Sequence, residues 1–231
     1  MTKALLALTL VGLFVEVPGV RAQARSPAFD LPAELEVVGQ PSPGERLPLV
    51  VFLPWTGGEA REMFDAARGQ MPFERYVALL PHGRFERDDY LPAFHQFVTW
   101  MKERVLADLA RARAEHPVDE ARVYLVGFSL GGDTSWALLT RHPEVFAGAV
   151  VLGSRAGARA RGAAARTMRE HGRRVVFGMG ETDDAVRVRG VERAFASARA
   201  ARLDAALVRY PGGHGLPPPD TLRAMLARAL T

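Results

Sequence analysis

The sequence predicts an α/β fold, a single domain built on an open, mostly parallel sheet with helices on both faces. Three observations predict it. Near-continuous apolar runs, with Leu47-Pro48-Leu49-Val50-Val51-Phe52-Leu53 the clearest, read as strands buried on both faces, as parallel sheets require. Segments with apolar residues at helical spacing alternate with these runs along the chain. No linker, repeat or low-complexity stretch interrupts the alternation.

Taken in order, residues 34–38 form a first strand and 47–53 the second, with Gln40-Pro41-Ser42-Pro43-Gly44 as the turn between them. Residues 59–69 read as a short helix, and 76–80 as a strand stopped by Pro81 and Gly83. From 94 to 115, Phe97, Val98, Met101, Val105, Leu106 and Leu109 recur at helical spacing, and His116-Pro117 ends the helix. Residues 122–128 are a central strand, 132–141 a helix stopped before Pro143, and 149–152 another strand. Strands at 175–179 and 206–210 flank a helix over 188–201, and 219–230 closes the chain as a helix.

Composition narrows the function classes. A chain of 231 residues buries roughly 70–75% of its extended surface on folding, enough for a substantial core. The absence of cysteine excludes disulfide scaffolds, thiolate metal sites and cysteine nucleophiles together. The net charge is +4, yet only Lys3 and Lys102 are lysines, so 28 of the 30 cations are arginine. They are interleaved with 26 acids and form no stripe beyond residues 155–174. A nucleic-acid footprint needs clustering, so no nucleic-acid partner is expected.

The first residues read as an address. Lys3 precedes a twelve-residue apolar run from Ala4 to Val15, too short to span a bilayer. Pro18-Gly19 breaks it, and Ala22-Gln23-Ala24 supplies a small-x-small cleavage pattern. Residues 1–24 are therefore expected to be a signal peptide and 25–231 the exported domain, secreted or periplasmic, with no membrane insertion after cleavage.

Ligands of such sheets bind beyond the carboxyl ends of the strands. After the central strand stands Gly127-Phe128-Ser129-Leu130-Gly131-Gly132, a G-x-S-x-G turn between strand and helix. A serine on this strained turn projects its hydroxyl from the sheet edge, and the glycines let neighbouring backbone pass without a Cβ clash. With 22 glycines and 6 serines, chance supplies about 0.05 such matches in this chain. After the strand at 175–179 comes Gly180-Glu181-Thr182-Asp183-Asp184, and after the last strand Tyr210-Pro211-Gly212-Gly213-His214-Gly215. Serine, acid and histidine stand in the chain order this architecture uses. His82, after the strand at 76–80, is a weaker candidate to line the cleft.

On these three motifs, and on His142-Pro143-Glu144-Val145-Phe146-Ala147-Gly148, residues 45–230 resemble the α/β-hydrolase superfamily. Within it they are similar to the small esterases without a lid, of the phospholipase/carboxylesterase and dienelactone-hydrolase-like groups. The resemblance implies the α/β-hydrolase fold without a cap domain, with Ser129 as nucleophile, Asp183 as acid and His214 as base. Adjacent Asp184 competes for the role of acid, and the family's G-x-x-D spacing favours Asp183. Leu130, next after the nucleophile, would donate one oxyanion N–H. The sequence departs from the family at Leu53-Pro54-Trp55-Thr56-Gly57-Gly58, where many relatives carry His-Gly. Proline has no N–H, so aligning Pro54-Trp55 with His-Gly makes Thr56 the other donor, with Trp55 as the alternative.

The implied activity is hydrolysis of a small-molecule carboxylic ester through an acyl-enzyme, with no metal or organic cofactor. A peptidase or acyltransferase would use the same three residues, and a non-catalytic binding protein would keep the fold. Only 28 residues lie between Ser154 and Asp183, which predicts an open cleft without a lid. Arg155, after a strand end, is a candidate partner for an anionic substrate group. Nothing in the sequence sets an oligomeric state.

Overall fold

The computed structural model describes residues 26–231, so the expected signal peptide lies outside the described residues. Seven strands, β1 (Glu34–Val38), β2 (Leu47–Leu53), β3 (Tyr76–Leu80), β4 (Val118–Phe128), β5 (Gly148–Leu152), β6 (Arg174–Gly180) and β7 (Asp204–Tyr210), form one sheet in the order β1-β3-β2-β4-β5-β6-β7. β2 to β7 are parallel to their neighbours, and edge strand β1 runs antiparallel to β3. β2, β3 and β5 are buried along their whole length, as their apolar runs require.

The helices are α1 (Ala60–Ala67), α2 (Arg87–Tyr90), α3 (Phe94–Glu115), α4 (Leu130–Arg141), α5 (Gly162–Glu170), α6 (Ala185–Ala200) and α7 (Pro219–Leu230). Successive strand residues point to opposite faces, so the sheet supports two cores. Leu49, Val51, Leu125 and Phe177 pack against α3, α4, α5 and α6. Val50, Phe52, Val126 and Val176 pack against α1 and α7. Among the described residues no helix is long and apolar enough to cross a membrane.

The expected elements are present, with differences at their ends. β4 starts at Val118, four residues before the apolar run, through pairing of Leu47 with Val118. The helix expected over 59–69 ends at Ala67 and tightens into a 3₁₀ turn, Arg68–Gln70. α4 begins at Leu130 instead of 132, so Gly131 and Gly132 lie inside its first turn. Glycine is a poor helix former, but a Cβ on Gly131 would lie 2.3 Å from the carbonyl oxygen of Leu53. Close approach of helix and strand outweighs propensity there. α6 starts at Ala185 instead of 188 because Asp184 caps it, its side chain accepting from the N–H of Val186 and Arg187. Sequence reading passes over two helices, the four-residue α2, which has no periodic signal, and α5, which lies between the strands expected at 149–152 and 175–179.

Candidate active site

Five strand ends meet at one edge of the sheet. The end of β4 carries Ser129, 7% exposed, at φ 55° and ψ −114°. A non-glycine residue held there costs roughly 1–3 kcal/mol and persists only where its surroundings over-determine it. They do so here. The Ser129 N–H donates to the carbonyl of Leu152 at 2.8 Å, and the Ser129 carbonyl accepts from the N–H of Asp133 at 2.9 Å. A Cβ on Gly127 would lie 2.3 Å from the Gly131 carbonyl carbon, and one on Gly132 would lie 2.5 Å from the Leu152 oxygen. The glycines of the motif are thus needed because helix, turn and two strands share one crowded corner.

From the end of β7, His214 reaches back to this turn. Its Nε2 stands 3.0 Å from Ser129 Oγ, and its Nδ1 stands 2.9 Å from Asp183 Oδ2. With Asp183 ionised, the Nδ1 proton faces the carboxylate and Nε2 is left to accept from the serine hydroxyl. Asp183 has a side chain only 1% exposed, and its Oδ1 accepts from the N–H of Asp184 at 2.6 Å. The Asp184 carboxylate turns away to cap α6. Of the two adjacent acids, the fold brings only Asp183 to the histidine.

The two loops that carry Asp183 and His214 are stitched together. Glu181 and Thr182 donate their N–H groups to the carbonyls of Tyr210 and Gly212. The Tyr210 hydroxyl donates to the Gly215 carbonyl at 2.8 Å and closes the histidine loop on itself. Burial, together with the nearby Asp183 charge, pushes the Tyr210 pKa up to about 12, so this donor keeps its proton through the neutral range. The loop after β5 is held from the other side, where Asp133 Oδ1 accepts from Ser154 Oγ, the Arg155 N–H and the Ala156 N–H.

The loop after β2 places Trp55 and Thr56 beside the serine. Gly57 donates to the Phe85 carbonyl at 3.0 Å, and Thr56 Oγ1 lies 2.8 Å from the Tyr90 hydroxyl. The Trp55 indole covers Gly58, where a Cβ would lie 2.2 Å from Nε1, and packs edge-on to Phe128 at 6.0 Å. Phe128 in turn lies against the His214 ring at 4.7 Å. Among the described residues no hydrogen bond takes the N–H of Trp55, Thr56 or Leu130. Leu130 is the first residue of α4, so its N–H has no partner within the helix.

Trp55, Thr56, Phe128, Ser129 and His214 line a cleft of 260 Å³ together with Tyr90, Arg87, Arg155 and Arg187. Arg187 sits one turn beyond Asp183; its Nη1 donates to the Gly153 carbonyl at 3.0 Å, and its Nε lies 4.0 Å from Asp183 Oδ1. The guanidinium groups of Arg87 and Arg155 have no partner among the described residues. The candidates singled out from sequence, Ser129, Asp183, His214, Leu130, Thr56, Trp55 and Arg155, come together here. His82 does not; it lines a separate depression with Glu34, Glu59 and Arg61. Sequence reading missed Arg87, Tyr90 and Arg187. Of these, only Arg187 had a signal, its i,i+4 spacing from Asp183. Among the described residues no three His, Asp or Glu side chains converge at metal-binding distance.

The model of the dienelactone hydrolase family matches residues 37–220. Among solved structures, the chain is similar to esterase PE8, with 24% identity and a TM-score of 0.63 over 87% of this chain and 99% of that one. It is also similar to a phospholipase/carboxylesterase from Dyadobacter fermentans (16% identity, TM-score 0.61, covering 86% and 97%). A carboxylesterase from Bacillus cereus matches at 16% identity and TM-score 0.57, covering 85% and 93%. At these identities the likeness is one of fold. No curated protein matched the chain.

Proposed function

The chain belongs to the dienelactone hydrolase family, and on that premise we propose that it is a serine hydrolase cleaving small carboxylic esters through an acyl-enzyme on Ser129. The observation that carries the reading is the unbroken relay from Asp183 Oδ2 through both ring nitrogens of His214 to Ser129 Oγ.

In this reading Ser129 Oγ attacks the ester carbonyl while His214 Nε2 takes its proton. Asp183 holds the ring in the needed tautomer and stabilises the imidazolium. The N–H groups of Leu130 and Thr56 receive the tetrahedral oxyanion; Trp55 is the alternative to Thr56. The intermediate collapses as His214 returns the proton to the departing alkoxide. Water then attacks the acyl-serine, with His214 again as base, and the acid leaves. No group beyond the chain is needed. The small cleft favours short acyl groups, and the Arg87 and Arg155 guanidiniums favour a substrate that carries an anionic group beside the ester. Residues 1–24 direct export in this reading, and 25–231 is the working protein. A chain recovered outside the cytoplasm that still begins at Met1 would count against that.

Intact-mass labelling with a fluorophosphonate probe tests the central step. The expected result is one adduct on the folded protein and none on Ser129→Ala. A folded protein that takes no adduct at neutral pH overturns the proposal and leaves a binding protein on a hydrolase fold.

A further inference from the structure

The chain's positive charge is gathered in one stretch of sequence. Residues 153–202 contain 12 arginines and 5 acids, a net +7, so the rest of the chain carries −3 against the total of +4. Most arginines elsewhere are matched to carboxylates, among them Arg61 with Glu34 and Glu36, Arg75 with Glu45, Arg84 with Glu59 and Arg104 with Asp108, while Arg87 of the cleft is not. Along α5 and the end of α6 they are not. The guanidinium groups of Arg161, Arg166 and Arg169 make neither an ion pair nor a hydrogen bond among the described residues.

These three side chains are not spread over a convex surface. They wall a groove of 440 Å³ between α5 and the C-terminal end of α6, lined elsewhere by small residues, among them Ala160, Ala165 and Ala200. It shares no residue with the Ser129 cleft. Glu170 is the one carboxylate of α5 and is not part of the groove wall.

Three like charges around a concavity repel one another within a Debye length of about 10 Å at 0.1 M salt, and no described carboxylate forms an ion pair with them. Guanidinium forks match phosphate oxygens two at a time, and the short side chains leave the space between them open. We propose that this groove is a binding site for a soluble oligophosphate, a ligand with two or more phosphate groups. A membrane surface fits less well. Among the described residues the large exposed apolar ones are Leu31, Val37, Leu91 and Val186, none of which lines the groove, so this face shows no apolar wedge for a bilayer.

The test is calorimetric titration of the whole protein with inorganic tripolyphosphate in low salt. It compares wild type with the triple variant Arg161→Gln, Arg166→Gln, Arg169→Gln. A second triple variant, Arg75→Gln, Arg122→Gln, Arg223→Gln, lowers the net charge equally on other faces. The expected result is binding by wild type and the second variant, and a loss of at least about tenfold in the first. The salt dependence should weaken in step, while ester hydrolysis is unchanged in the first variant. No binding by wild type overturns the proposal. So does equal weakening in both variants, which would mean a diffuse charge effect. Cosedimentation with phosphatidylglycerol vesicles without tripolyphosphate binding overturns it in favour of a lipid surface.

Discussion

Gly180 and Gly213 stand back to back, so that a Cβ on Gly180 would lie 2.1 Å from the Gly213 carbonyl oxygen. This contact sets the distance between the loop that carries Asp183 and the loop that carries His214. Gly180→Ala should push the two apart. Overpacking of this kind typically costs about 1–3 kcal/mol, and a chain this long loses roughly 2–4 °C of Tm per kcal/mol. Activity should fall further than stability, because the displaced group is the base itself. Thermal melting beside ester hydrolysis by the same variant checks both.

The two adjacent carboxylates should separate cleanly. Asp183→Asn preserves shape but leaves His214 without its anionic partner, and kcat should drop by about 10⁴. Asp184→Ala removes the cap of α6 and should cost about 1 kcal/mol of stability with kcat nearly unchanged. Equal losses of kcat in the two variants would sink the assignment of Asp183.

Tyr210 ties stability to alkaline pH. Its pKa of about 12 lies above that of an unfolded tyrosine, so the protonated side chain favours the fold up to about pH 10. That contribution disappears as pH rises through about 12, when the hydroxyl can no longer donate to Gly215. Denaturant midpoints recorded from pH 8 to 12 should therefore fall for the wild type in the upper part of this range. Tyr210→Phe should start lower and lack this part of the decline.

The loop after β2 should depend on Tyr90. Tyr90→Phe leaves Thr56 Oγ1 without its 2.8 Å partner and loosens the segment that carries the Thr56 N–H. A hydrogen bond of this kind contributes about 0.5–1.5 kcal/mol, so kcat should fall roughly two- to tenfold with KM little changed. An effect on KM alone would place Tyr90 in substrate binding.

Arg87 and Arg155 should act on substrate choice. Esters that carry a carboxylate should be preferred over neutral ones of the same size, and Arg155→Gln should raise KM for the anionic ester by about tenfold. The neutral ester should be hydrolysed as before. Loss of both activities together would show that Arg155 supports the loop and does not meet substrate.

The sequence by itself determined the order of the strands and of every helix but α2 and α5, the burial of β2, β3 and β5 on both faces, and the strained turn around Ser129. Each of these is local. Apolar periodicity reports which faces are covered, and glycines on either side of a serine report backbone that passes too close for a Cβ. The tertiary structure decided which carboxylate meets His214, because Asp183 and Asp184 differ only in where the start of α6 turns them. It also brought Arg87, Tyr90 and Arg187 to the cleft and took His82 away from it. Ser129, Asp183 and His214 lie 54 and 31 residues apart in the chain. No local pattern spans such separations. Only the parallel register of β4 to β7, which sets all the strand ends on one edge, makes them neighbours.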